Sequence, residues 1–130
     1  MDSAALDEIP LFAELSDQER AEVAASLRDL TVEPGATLAA QGDNAFQWFV
    51  IESGQAEVRR NGEVVRTLGP GDVFGEIGLL ATGTRTASVV AASPMRLGAM
   101  FMRDFNQLEQ RMPGLGKALR ETMAGRPWTS

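Results

Sequence analysis

The sequence predicts a mainly β domain, an antiparallel barrel or jelly roll with helices at both ends. Three observations carry this. Short apolar runs of strand length, punctuated by glycine turns, fill residues 30 to 101. A capping box, Ser16-Asp17-Gln18-Glu19, opens a helix ahead of them, and helical apolar spacing returns from Met102.

Taken in order, the capping box leads a single helix carrying Ala21, Val23, Ala24 and Leu27 and ending near Asp29. Strands follow at Leu30 to Glu33, Thr37 to Gln41, Phe46 to Glu52, Gln55 to Arg60 and Val64 to Leu68, each closed by a turn signal such as Pro34-Gly35, Ser53-Gly54 or Asn61-Gly62. Two more, about Thr86 to Ala91 and Arg96 to Phe101, complete the barrel. The tail is helical from Met102 to Arg111, breaks at Pro113, and resumes from Leu115 to Ala124 before Gly125-Arg126-Pro127 stops it. Phe46, Phe49, Ile51, Val73, Phe74, Leu79, Leu80 and Val89 read as core. The division is therefore one domain over 1–130: a helical part at 1–29, a barrel at 30–101 and terminal helices at 102–124.

Composition narrows the chemistry. The 130 residues suit one enclosed core, and with no cysteine and no histidine there are no disulfides, no thiolate or imidazole metal ligands and no Ser-His or Cys-His nucleophile. Catalysis is not expected. A cupin-like enzyme, which would share the barrel, fails because a carboxylate-only metal site would need clustered acids that the sequence lacks. No apolar run approaches the roughly 18 residues of a membrane span, so the expectation is a cytoplasmic chain with no membrane partner. Residues 1–33 hold nine acids against two arginines (−7), whereas 34–130 hold nine acids against ten bases (+1). That balance offers no broad basic face for nucleic acid. The basic set, eleven arginines to one lysine, suggests a GC-rich bacterial source.

One stretch, residues 74–89, carries the functional signal. Gly75 and Glu76 open a short apolar helix, Ile77 to Leu80, whose first-turn N–H groups present positive potential to an anion. Arg85, after the turn Thr82-Gly83-Thr84, adds a planar two-pronged donor. A carboxylate beside a phosphate is repelled by it, so Glu76 makes sense only where the ligand also offers hydroxyls, as a ribose does. Phosphate with sugar points to a nucleotide. Alone, Arg85 reads as a solvated arginine and Glu76 as an acid favoured by a helix N-terminus; their conjunction shifts the reading to a site.

Along nearly its whole length the chain resembles the cyclic nucleotide-binding domain family. The resemblance runs from Leu11-Phe12-Ala13-Glu14-Leu15-Ser16 through Gln41-Gly42-Asp43 and Phe49-Val50-Ile51-Glu52-Ser53-Gly54 to Leu68-Gly69-Pro70-Gly71-Asp72-Val73-Phe74-Gly75-Glu76, with Arg85 ten residues after Gly75 and then Thr86-Ala87-Ser88-Val89. It implies an eight-stranded jelly roll with an N-terminal helical bundle and a C-terminal helix pair. It also implies that Arg85, with the Gly78 and Thr86 amides, holds the cyclic phosphate, and that Glu76 and the Gly75 amide take the ribose 2′-hydroxyl. The ligand would be cyclic AMP, as the preferred guess, or cyclic GMP, with no further cofactor. Two positions depart from the family pattern: Thr84 stands where proline is frequent and loosens the turn, and Gly78 stands where alanine is common.

The base wall depends on one hairpin. A two-residue Asn61-Gly62 loop sets Val58 opposite Val65, whereas a three-residue Asn61-Gly62-Glu63 loop sets Val58 opposite Arg66 on the side of Leu68. Alignment with the family places Val58, Arg66 and Leu68 around the purine and so favours the longer loop. The family's lid falls on the tail, where Leu119 and Met123 form one stripe and Arg120 or Trp128 is placed to cover the base, or Trp128 to form a dimer contact. The competing reading of the lid stripe is plain packing on the barrel. The sequence holds no DNA reader, kinase, channel or transferase module. Its partner is accordingly an unidentified effector protein or domain, with a homodimer through the C-terminal helix as a further expectation. The alternative for the whole chain is a degenerate barrel with a structural role and no ligand.

Overall fold

The computed structural model describes residues 1–13, 15–40, 47–74, 87–115 and 117. Eight strands form two four-stranded antiparallel sheets, the pattern of the predicted jelly roll. They are β1 (Arg28–Val32), β2 (Thr37–Ala39), β3 (Gln47–Ser53), β4 (Ala56–Arg60), β5 (Glu63–Leu68), β6 (Val73–Phe74), β7 (Ser88–Ala91) and β8 (Met95–Phe101). One sheet has the order β1-β8-β3-β6 and the other β2-β7-β4-β5. The helices are α1 (Ser3–Asp7), α2 (Pro10–Ala13), α3 (Asp17–Ser26) and α4 (Met102–Arg111).

The turns follow from residue chemistry. Pro34-Gly35 and Pro70-Gly71 each place proline second and glycine third in a four-residue turn, with Gly35 and Gly71 both at φ +89. The Ala36 N–H closes the first by donating to the Glu33 carbonyl at 3.2 Å, and the Asp72 N–H closes the second by donating to the Gly69 carbonyl at 3.0 Å. The Asp72 carboxylate also accepts from the Gly69 N–H at 2.8 Å. Gly54, at φ +92, is more constrained, because a Cβ there would lie 2.3 Å from the Pro94 carbonyl oxygen.

Two hydrophobic clusters share the sheet that contains β3. Between the sheets lie Phe49, Ile51, Ala56, Val58, Leu68, Phe74, Val89, Leu97 and their neighbours. On the outer face, Trp48, Val50, Val73 and Met100 meet Leu6, Ile9 and Phe12 from the N-terminal helices and Phe105, Leu108 and Met112 from α4 and its end. Trp48 is stacked on Phe12 with centroids 6.2 Å apart and meets the Phe105 ring edge-on at 5.7 Å. Its indole nitrogen is buried without a hydrogen-bond partner. An unmet buried donor costs about 1–3 kcal/mol, which the burial of a ring this size offsets.

The capping box forms as predicted: Ser16 Oγ accepts from the Glu19 N–H at 3.1 Å, and Glu19 Oε1 accepts from the Ser16 N–H at 2.9 Å. The expectation of one leading helix is corrected, since α1 and α2 precede it. They are too short to show a period, and tertiary contacts hold them. The buried Arg20 guanidinium donates to the carbonyls of Phe12, Ala13 and Leu15 and pairs with Asp7 at 3.0 Å and with Asp17. Helix α3 ends at Ser26 rather than near Asp29, because Arg28 and Asp29 pair with Ala99 and Gly98 of β8. The carboxyl of Asp29 is held below the ordinary carboxylate range by the Met1 amine, 2.6 Å away. Strand β6, two residues long, gave no periodic signal, and β2 stops at Ala39. The second tail helix begins at Pro113, earlier than the predicted Leu115, because proline suits a first helical position, where its missing N–H is not needed. Phe46, Leu79 and Leu80 lie outside the described residues; the other predicted core side chains are buried.

Gly54→Ala should lower stability by about 3 kcal/mol, combining left-handed strain with a backbone collision. Gly35→Ala, at nearly the same φ but with nothing within 4 Å, should cost only about 1 kcal/mol. Chemical denaturation of the two variants measures the difference.

Candidate functional site

Residues 75–86 lie outside the described residues, and with them Gly75, Glu76, Gly78, Thr84, Arg85 and Thr86; so do the lid candidates Leu119, Arg120, Met123 and Trp128. What the fold does define is where the two ends of that segment are anchored and what wall they meet. Phe74, the last described residue before it, pairs with Phe49 of β3, and the two rings stack at 4.9 Å. Ala87, the first after it, is buried, and the chain then enters β7 between β2 and β4. The segment thus leaves from the edge of one sheet and arrives inside the other.

It arrives beside the predicted base wall. Val58 of β4 pairs on one side with Arg66 of β5 and on the other with Val89 of β7, so Arg66, Val58 and Val89 form one row across the sheet. The next inward row is Leu68, Ala56 and Ala91. All of these are buried except Arg66, which is exposed. The structure therefore brings together all three described candidates, Val58, Arg66 and Leu68. Val89 and Ala87 were legible only as core; their position just after Arg85-Thr86 was the signal that they share the wall.

The hairpin behind this register differs from expectation. The loop is the two-residue Asn61-Gly62, not the three-residue loop, because Arg60 pairs with Glu63. Asn61 at φ 54 and Gly62 at φ 84 are the left-handed pair that the tight primed turn demands. The register then slips between Val58 and Arg59, so that Arg59 faces Val64 while Val58 faces Arg66. This β-bulge absorbs one extra residue and restores the inward row that the longer loop had been invoked to explain. Its cost is visible as two half-exposed valines, Val64 and Val65, on the edge strand.

Chemically the wall is an apolar surface with one cation at its rim. The Arg66 side chain has no ion pair or hydrogen bond among the described residues, in contrast to Arg59, whose Nη2 lies 2.5 Å from Glu57. Among the described residues no three acidic side chains converge as a metal site would require.

Comparison with known proteins agrees with this architecture. Residues 29–112 match the family described as Cyclic nucleotide-binding domain. A cAMP-dependent protein kinase regulatory subunit of Yarrowia lipolytica is 36% identical over 105 residues, covering 79% of this chain and 28% of its own length. The chain thus spans about a quarter of the curated relatives it matches first. The crystal structure of Thermus thermophilus catabolite activator protein superposes with a TM-score of 0.82 at 31% identity, covering 90% of this chain and 57% of that one. The regulatory domain of Toxoplasma gondii PKA, crystallised with cAMP, shares the fold at a TM-score of 0.83 and 23% identity, covering 94% and 48%. The curated relatives are fungal and lend no support to the bacterial source read from composition.

Leu68→Ala should destabilise by about 2–5 kcal/mol as a cavity opens in the wall. Arg66→Ala should stay within about 0.5 kcal/mol of the parent. Urea unfolding checks both, and a large loss at Arg66 would show that its side chain is bonded after all.

Proposed function

The chain belongs to the cyclic nucleotide-binding domain family, and from that premise we propose that it is a sensor module for a 3′,5′-cyclic purine nucleotide, cyclic AMP first and cyclic GMP second. The observation that carries this reading is the inward row Arg66–Val58–Val89, set where both ends of the glycine- and arginine-bearing segment are anchored.

In this reading Arg85 donates both prongs of its guanidinium to the cyclic phosphate, assisted by the backbone amides of Gly78 and Thr86. Glu76 accepts from the ribose 2′-hydroxyl beside the Gly75 amide. The purine lies against Val58 and Leu68, with Arg66 at the rim. A neutral apolar wall facing a charged phosphate end orients the ligand in one direction, because reversing it would bury the phosphate in the wall. Leu119, Arg120, Met123 and Trp128 cover the base, and the terminal helices pass occupancy to an effector by a population shift. The names of the kinase regulatory relatives support cyclic AMP as ligand and a kinase-type effector. The module works in the cytoplasm, without a cofactor and without direct contact to nucleic acid or membrane, and a homodimer through the C-terminal helix is one route of transmission. It binds without turning the ligand over, since no positioned base is available to activate water.

Isothermal titration should give saturable one-to-one heat with cyclic AMP or cyclic GMP and none with 5′-AMP, and the nucleotide should be recovered intact. Arg85→Ala should weaken binding by about 100-fold or more, because a charge-assisted bidentate contact is lost. Glu76→Ala should cost less, about tenfold, since it removes a hydroxyl contact together with a like charge. No heat with any cyclic nucleotide would turn the reading to a structural barrel that has lost its ligand.

A further inference from the structure

A second, separate cavity of about 290 Å³ lies between α1 and the barrel, away from the inward rows described above. Its apolar surface comes from Ala5 and Ile9 on the helical side and Ile51 and Pro70 on the barrel side. Two carboxylates, Glu8 and Glu52, complete it, one from each side.

The walls are preformed. The Gly71 N–H donates to the Ile51 carbonyl at 2.8 Å, and the Ile51 N–H donates to the Asp72 carbonyl at 2.9 Å, which ties the Pro70-Gly71 turn to β3. On the other side, Asp7 next to Glu8 is held by Arg20 at 3.0 Å. The cavity therefore needs no ordering before it accepts a ligand.

Its charge is one-sided. Asp7, Asp17, Glu22, Asp29, Glu57 and Asp104 all have cationic partners, whereas Glu8 and Glu52 have none among the described residues. The Met1 amine, the one cation in the lining, is engaged by Asp29. Glu8 also caps the C-terminal end of α1, which has no basic residue in its last turn. An acid is disfavoured there by the exposed carbonyls, so a cation at this point relieves two unfavourable interactions together.

From this geometry we infer that the cavity is a docking site for a basic side chain, arginine or lysine, presented by a partner polypeptide beside an apolar residue. The methylene stem of such a side chain lies along Ile9 and Ile51, and its charged head reaches Glu8 and Glu52. The apolar floor makes a polypeptide side chain a better occupant than a free polyamine, and the volume accommodates one long side chain with part of its neighbour. This site is independent of cyclic nucleotide binding.

The test is an amide NMR titration of the whole chain with the peptide acetyl-Leu-Arg-Leu-amide up to about 5 mM, a range that reads weak docking of a single side chain. The expected result is saturable shifts at Ala5, Glu8, Glu52 and Gly71 that collapse in high salt and weaken at least about fivefold in Glu8→Gln/Glu52→Gln. The double variant should melt like the parent and bind cyclic nucleotide unchanged, because neither carboxylate has a partner to lose. No shifts, or equal shifts with acetyl-Leu-Glu-Leu-amide, would overturn the site. Equal shifts with spermidine would overturn the polypeptide as its occupant.

Discussion

Strand β3 is buried on both faces, and most of the molecule is arranged around that constraint. Trp48 and Val50 project toward the helices, and Phe49 and Ile51 project between the sheets. Strand alternation would normally leave one of these faces polar. Here the outer face is apolar, so the sheet requires a helical cover, which the N-terminal helices and α4 supply from opposite ends of the chain. Phe12 and Phe105 meet on Trp48 and join those two ends through one indole ring. A change in either helix is therefore felt at a strand whose other face reaches the barrel interior.

The second determinant is how the chain changes direction. Two Pro-Gly turns, the left-handed pair Asn61-Gly62 and the crowded Gly54 fix where strands end. The bulge in β5 then decides which side chains face inward. Without it, the tight Asn61-Gly62 loop would place Val65, not Arg66, opposite Val58. The same bulge protects the edge of the sheet, since an irregular strand is a poor template for another chain even with Val64 and Val65 exposed.

Much of this was legible in the sequence, for identifiable reasons. Ser16 and Glu19 signal a helix start because each satisfies the other's backbone donor, and that is what the structure contains. Glycine turns bounded the strands because positive φ admits few other residues. The helices α1 and α2 were not legible, since five and four residues cannot display a period and Arg20 holds them from a distance. Strand β6 was missed for the same reason of length. The hairpin shows a subtler limit: Asn61-Gly62 correctly signals a two-residue turn, but a bulge has no composition of its own, so the loop was misjudged while the facing pair was right. Of the candidate site, Val58, Arg66 and Leu68 were placed by alignment and meet in the fold, whereas the phosphate, ribose and lid residues rest on their motif alone.

The account stands on one claim: the segment 75–86 and the row Arg66–Val58–Val89 close on a single ligand. The most direct measurement is a crystal structure of the chain grown with cyclic AMP. The account predicts one nucleotide between the sheets, its phosphate on Arg85, its ribose on Glu76 and its purine against Val58 and Leu68. A nucleotide bound elsewhere, or held with its phosphate away from Arg85, would contradict it.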